Sequence, residues 1–160
     1  KSVPLKGKYP VEPFQATSDK DFEAVWSKTI DFFAQTGVGI KIIDKSSGLI
    51  VAQKSSMPVT TEDDKGNLKD PLAWVVSSQA YEPGARRYYY PTAVAADWNI
   101  RIKPNPNGTG TVINVNITNI VAVTSVLQVN PVFGFSNSEA VTTDIKSTRV
   151  FENMIAEIIK

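Results

Sequence analysis

Arg86-Arg87-Tyr88-Tyr89-Tyr90 is the densest chemistry-bearing run of the chain. Guanidinium forks and phenol rings do the chemistry of recognition. Arginine offers a planar set of donors, and tyrosine a large, fairly rigid contact area with a hydroxyl at its tip. In an extended strand Tyr88 and Tyr90 share one face and Tyr89 takes the other. The run therefore reads either as a strand that feeds a core or as a binding surface. Pro91 follows it and cannot donate a ladder hydrogen bond, which places the run at a sheet edge or in a loop. At least one of the three tyrosines is expected to be exposed beside Arg86 or Arg87. Trp74 and Tyr81 belong to the same polar segment, residues 54–92, and complete the candidate binding set. Arginine beside stacked aromatics also suits single-stranded nucleic acid, but the chain shows no wider basic groove.

Catalytic chemistry is poorly supplied. The chain has no histidine and no cysteine. Ser-His-Asp and Cys-His catalysis have no base, and zinc or iron–sulfur sites lose their usual ligands. "GFSNS", residues 134–138, approaches a nucleophile elbow, but Ser138 stands where the last glycine belongs. Gly37-Val38-Gly39 would need a third glycine at position 42, which is Ile42, so it reads as a helix end and a strand start. "TEDDKGN", residues 61–67, would put Lys65 at a calcium-ligand position and reads as a solvated acidic turn. The carboxylates Glu62, Asp63, Asp64, Asp70, Glu82 and Asp97 are too scattered to suggest a glycosidase pair. Asn107-Gly108-Thr109 and Asn116-Ile117-Thr118 match the glycosylation pattern, which is common by chance. No enzyme, cofactor or metal is expected.

The composition sets the frame. With 160 residues, 42% hydrophobic and 21% charged, the chain is long and apolar enough for one domain with its own core. Seventeen basic residues against 16 acidic give a net charge of +1, which argues against a nucleic-acid partner. Apolar runs stay far short of the ~20 residues of a membrane helix.

The elements that must position the tyrosines follow from periodicity. Residues 1–10 read as an extended lead-in, and Val11 to Thr17 as a first strand. Ser18 is the expected cap of a helix whose face carries Phe22, Val25, Trp26, Ile30 and Phe33, with Gly37 ending it. Val38, Ile40 and Ile42 alternate, and with Leu49 to Gln53 they predict a hairpin around "DKSSG". Residues 54–92 read as a long irregular excursion, the kind of segment that carries recognition on a rigid scaffold. Beyond it, Trp98, Ile100 and Ile102 turn through "PNPNGTG" to Ile113, Val115 and Ile117, a long hairpin with one dry face. Its wet face holds Asn99, Arg101, Asn114, Asn116 and Thr118. A bulge is expected where Ile120 and Val121 break the alternation. Residues 130–144 read mainly as a connection. A last helix, capped from Thr143, Asp144 or Ser147, carries Phe151, Met154, Ile155, Ile158 and Ile159. Two amphipathic helices and a mostly antiparallel sheet can bury their faces only on each other, so the fold class is α+β: a two-layer sandwich with both helices on one face.

Three stretches carry a resemblance. "DFEAVWSKTIDFFAQTGVGIKIIDKSSGLIVAQ" (21–53), "WNIRIKPNPNGTGTVINVNITNI" (98–120) and "STRVFENMIAEI" (147–158) resemble the opening helix and hairpin, the long second hairpin and the closing helix of small Gram-negative envelope lipoproteins with BamC-like domains. The resemblance lies in the scaffold, so no site residue carries over. It implies a periplasmic or outer-membrane-anchored lipoprotein. The chain begins with Lys1, so the expected signal peptide and lipobox cysteine would lie upstream. The function expected is non-enzymatic binding or assembly in the envelope, with the 54–92 excursion recognising a protein or glycan. The alternative is a helix-grip-like carrier of a small apolar ligand, which the bulky inward residues of the long hairpin disfavour.

Overall fold

The architecture comes from a computed structural model that describes residues 2–82, 84, 86–91, 93–123, 126–129, 136–139 and 144–160. Within these, the side chains of residues 2, 55, 82, 87, 89, 123, 126–129 and 136–139 are not described.

The chain runs through β1 (Ser2–Val3), β2 (Phe14–Ser18), α1 (Phe22–Thr36), β3 (Gly39–Asp44), β4 (Leu49–Met57), β5 (Val59–Thr60), β6 (Val75–Ser77), β7 (Gln79–Glu82) and β8 (Arg87–Tyr89). It continues through β9 (Ala93–Pro104), β10 (Thr111–Val123), β11 (Val126–Val129), β12 (Ser136–Glu139), β13 (Ile145–Ser147) and α2 (Val150–Ile158). The main sheet has the order β2-β10-β9-β4-β3, and every pair in it is antiparallel. Helix α1 packs on β9 and β3, and α2 on β2 and on α1. The protein is an α+β two-layer sandwich.

Helix α1 starts at Asp21, whose carboxylate accepts from Ala24 N at 2.9 Å, and stops at Gly37, which turns left-handed at φ 68°. Ser18 does not cap this helix. It ends β2, and its hydroxyl bonds the Ile159 carbonyl, a tertiary contact that outcompetes the local cap. The α1 stripe is buried at Val25, Trp26, Thr29, Phe32 and Phe33, with Phe22 and Ile30 packed at its border. Helix α2 follows Arg149, which is itself left-handed at φ 70°. Neither Asp144 nor Ser147 is its cap residue. Ser147 Oγ instead accepts from Arg149 N at 3.0 Å and braces the turn before the helix. Thr143 lies outside the described residues.

The expected long hairpin forms with Ile100 opposite Val115 and Trp98 opposite Ile117, and its register shifts between Thr118 and Val121. Asn119 sits in the shift at φ 53°, the left-handed conformation that asparagine tolerates. At the tip, Gly110 has φ 93°, and a Cβ there would strike the Ser18 carbonyl oxygen. Trp98 and Phe151 meet at the centre of the core, ring centroids 4.3 Å apart.

Three segments depart from the periodicity reading. Strand β3 is exposed along its whole length, because it is the edge of the sheet and a register shift between Ile40 and Ile42 breaks its alternation. Residues 54–92 are far from irregular. Strand β6 lies between β5, its parallel neighbour, and β13, while β7 pairs with both β8 and the lead-in strand β1. In the stretch read as a connection, Ser136–Glu139 pairs with β11. Gly134 and Phe135 of the elbow-like motif lie outside the described residues.

Candidate functional site

A cleft of about 520 Å³ opens where the lead-in, the acidic turn and the β6–β8 region meet. Val3 to Lys6 form one wall, Glu62, Asp63, Asp64 and Lys69 another, and Ser77, Ser78 and Gln79 the floor, with Tyr88 at the side. Its volume falls in the ordinary range of ligand sites, about 300–1,000 Å³.

Tyr88 reaches this cleft from a sheet edge. Strand β8 is the outer strand of β1-β7-β8. Tyr88 stands opposite Tyr81 in the ladder, with ring centroids 4.9 Å apart and planes tilted by 46°. That contact fixes the Tyr88 ring while leaving 58% of the residue exposed. Tyr90 is 42% exposed, and Pro91 after it is buried. Arg86 is exposed and holds a left-handed turn at φ 51°, which an arginine adopts only when its surroundings enforce it. The side chains of Arg87 and Tyr89 are outside the described ones. Trp74 stands apart from the cluster. Its ring packs 4.8 Å from that of Phe151, on the border of the core, because β6 draws the chain beneath α2.

The lead-in wall is pinned by one carboxylate. Glu62 accepts from Lys6 N at 2.7 Å, Gly7 N at 2.8 Å and the Tyr9 hydroxyl at 2.6 Å, while Lys6 Nζ donates to the Asp64 carbonyl at 2.6 Å. Partial burial works to raise the Glu62 pKa, but the Tyr9 hydroxyl and the two amides outweigh it and hold the group below its usual value. The acidic turn is a backbone-capped loop: Asp63 Oδ1 accepts from Lys65 N and Asn67 N, both at 2.9 Å. These amides keep Asp63 ionised below the usual carboxylate range. The clamp residues Lys6 and Tyr9 carry no sequence signal of their role. They meet Glu62 only because β1 pairs with β7, and a two-residue strand leaves no period to read.

The wet face of the main sheet is tied to itself. Asn99 Nδ2 donates to Thr118 Oγ1 at 2.9 Å, and Asp97 Oδ2 accepts from Asn119 Nδ2 at 2.9 Å and from Lys41 Nζ at 3.4 Å. The Asn119 amide, helped by Lys41, holds the Asp97 carboxyl low. Arg101 and Asn116 remain exposed there.

Among the described residues, no helix is long and apolar enough to cross a membrane. The chain matches no known protein family and none of the characterised proteins with which it was compared.

Proposed function

We propose that this protein is a non-enzymatic binding module of the cell envelope, a small lipoprotein of the BamC-like kind, that holds its partner in the cleft beside Tyr88. One observation carries the reading: a tyrosine ring 58% exposed, fixed by a second ring, at the side of a cleft built from the 54–92 segment and the lead-in. A large aromatic left open to water at the side of a concavity is the usual anchor of a recognition surface. The envelope assignment rests on the scaffold resemblance of residues 21–53, 98–120 and 147–158. Near-neutral charge weighs against a nucleic-acid partner. The carrier reading is weaker, because Trp98, Ile100, Ile102, Ile113 and Val115 are buried in the space that a carrier would leave open.

The test is retention of the purified protein by isolated Gram-negative envelope fractions. The wild type is expected to sediment with them. A Tyr88→Ala, Tyr90→Ala double variant should remain in solution with an unchanged melting temperature. Equal retention of the two proteins would remove the cleft from the reading.

A further inference from the structure

We propose that the cleft beside Tyr88 takes a neutral oligosaccharide, with one pyranose ring lying on the exposed face of that tyrosine. The proposal rests on the reading of the cleft as a recognition surface and names its ligand.

A pyranose is amphipathic. One face presents C–H groups, and the rim presents hydroxyls that both donate and accept. A site for it needs a flat aromatic surface held still, and polar groups at the level of the ring's rim. Tyr88 supplies the surface. Its π-face is electron-rich and attracts C–H groups, and the Tyr81 ring at 4.9 Å holds its orientation. The rim groups line the same cleft. Asp63 and Asp64 are exposed acceptors, Lys69 is an exposed donor, and the half-buried Gln79 amide does both. Asp63 is already fixed by two backbone amides, so little freedom is lost when it accepts a hydroxyl.

Charge selects among glycans. The lining contains Lys6 and Lys69 against Glu62, Asp63 and Asp64. Lys6 N, Gly7 N and Tyr9 hydrogen-bond the Glu62 carboxylate without neutralising it. Three carboxylates against two ammonium groups leave the lining slightly acidic, which repels an acidic polysaccharide and favours an uncharged ligand.

A protein strand is the rival occupant, because β8 is an edge. It offers only three residues, with the left-handed Arg86 turn before them and the buried Pro91 soon after. So short an edge is a poor template for strand pairing. The open cleft of about 520 Å³ suits a chain of rings better.

The experiment is affinity electrophoresis in native gels containing hydroxyethylcellulose, glycol chitin or a soluble β-glucan, with polygalacturonate as the acidic control. At least one neutral polymer should retard the wild type. Tyr88→Ala should weaken the retardation by about tenfold or more, the scale of losing an aromatic anchor. Tyr88→Phe, which keeps the ring and drops the hydroxyl, should stay within about twofold of wild type, since ring stacking does not use that group. Matching melting temperatures would show that both variants fold. The proposal is overturned if no neutral polymer retards the protein, if only polygalacturonate does, or if Tyr88→Ala changes nothing. The two readings separate cleanly. Loss of envelope retention on Tyr88→Ala without retardation by any polymer leaves the cleft as a protein site and removes the glycan. Loss of neither removes both.

Discussion

The Tyr9 hydroxyl donates to Oε1 of Glu62 at 2.6 Å, across 53 positions of the chain. The same carboxylate gathers the amides of Lys6 and Gly7. One side chain thus fastens the lead-in to the acidic turn and sets a wall of the cleft.

The pH dependence of this clamp follows from the shifts on its two sides. Glu62 is held below the usual carboxylate range, so its contribution is present above the unfolded value and is lost as pH falls through the folded one. Burial, and then Glu62 itself, push the Tyr9 phenol well above its ordinary value of 10.0. Its contribution is full below that value and fades only at stronger alkalinity. Glu62→Gln should therefore loosen the lead-in at neutral pH, lowering amide exchange protection at Lys6 and Gly7 by about 1.5–3 kcal/mol, the range for hydrogen bonds to a charged group. Acidifying the wild type below the carboxylate range should do the same. Unchanged protection in the Gln variant would show that the charge does not hold the lead-in.

Glu152 behaves in the opposite sense. It is 1% exposed, and both its oxygens lie 2.9 Å from the Ser147 hydroxyl. Burial raises its pKa, against the pull of Ser147 and Arg149. A raised carboxylate binds its proton more tightly when folded, so its contribution is full below the unfolded value and declines as pH rises through the folded one. Glu152→Gln should remove that decline and gain on the wild type as pH rises above the usual carboxylate range, read in denaturant titrations. Ser147→Ala should cost about 1–3 kcal/mol, more at the higher pH, because it strips a buried anion of its donor. A Ser147→Ala penalty that does not change with pH would show that Glu152 is neutral throughout.

The parts of the fold that repeat were legible in the sequence. Phe22, Val25, Trp26 and Phe33 mark one helical face, and Trp98 to Ile117 mark a two-faced hairpin, because both are long enough to show a period. The bulge was legible too, since Ile120 and Val121 break that period. Strands β5 and β6 were not. Two and three residues show no period, and β6 finds β13 through a pairing of Val75–Ser77 with Ile145–Ser147, far along the chain. Strand β3 and its hairpin were legible too, from Ile40, Ile42 and the turn at residues 44–48. Its place at the edge was not, because alternation cannot tell a central strand from an edge strand. The exposure of at least one tyrosine of the run, at an edge or in a loop, was legible because Pro91 follows it, and Tyr88 and Tyr90 are both exposed. The cleft around Tyr88 was not legible, because its other wall comes from the lead-in.

Phe151 organises the core. Its ring lies 5.7 Å from Phe32, 6.3 Å from Phe33, 4.8 Å from Trp74 and 4.3 Å from Trp98. Phe151→Ala should cost about 3–5 kcal/mol, the transfer term plus a cavity that four neighbouring rings cannot close. The denaturant midpoint measures it. A loss under about 1 kcal/mol would mean that the helix layer repacks freely.

Strand β3 leaves apolar side chains on an unpaired edge. Ile42 and Ile43 are each 53% exposed and Ile40 is 39% exposed. An edge of this kind is usually guarded by a charge. Lys41 is the only lysine in the strand, and its ammonium turns back to Asp97 at 3.4 Å. The guard is thus partly spent within the molecule, and the remaining protection is the register shift between Ile40 and Ile42, which distorts the row of free backbone groups. Ile42→Lys combined with Ile43→Lys should reduce self-association at high concentration, read by static light scattering. The cost in stability should stay within about 0.5 kcal/mol, as for exposed positions without special partners. The control is Lys41→Ala, which removes the strand's lysine and should increase the scattering. Scattering that ignores all three substitutions would place any contact between copies elsewhere, and the register shift alone would then be enough to protect the edge.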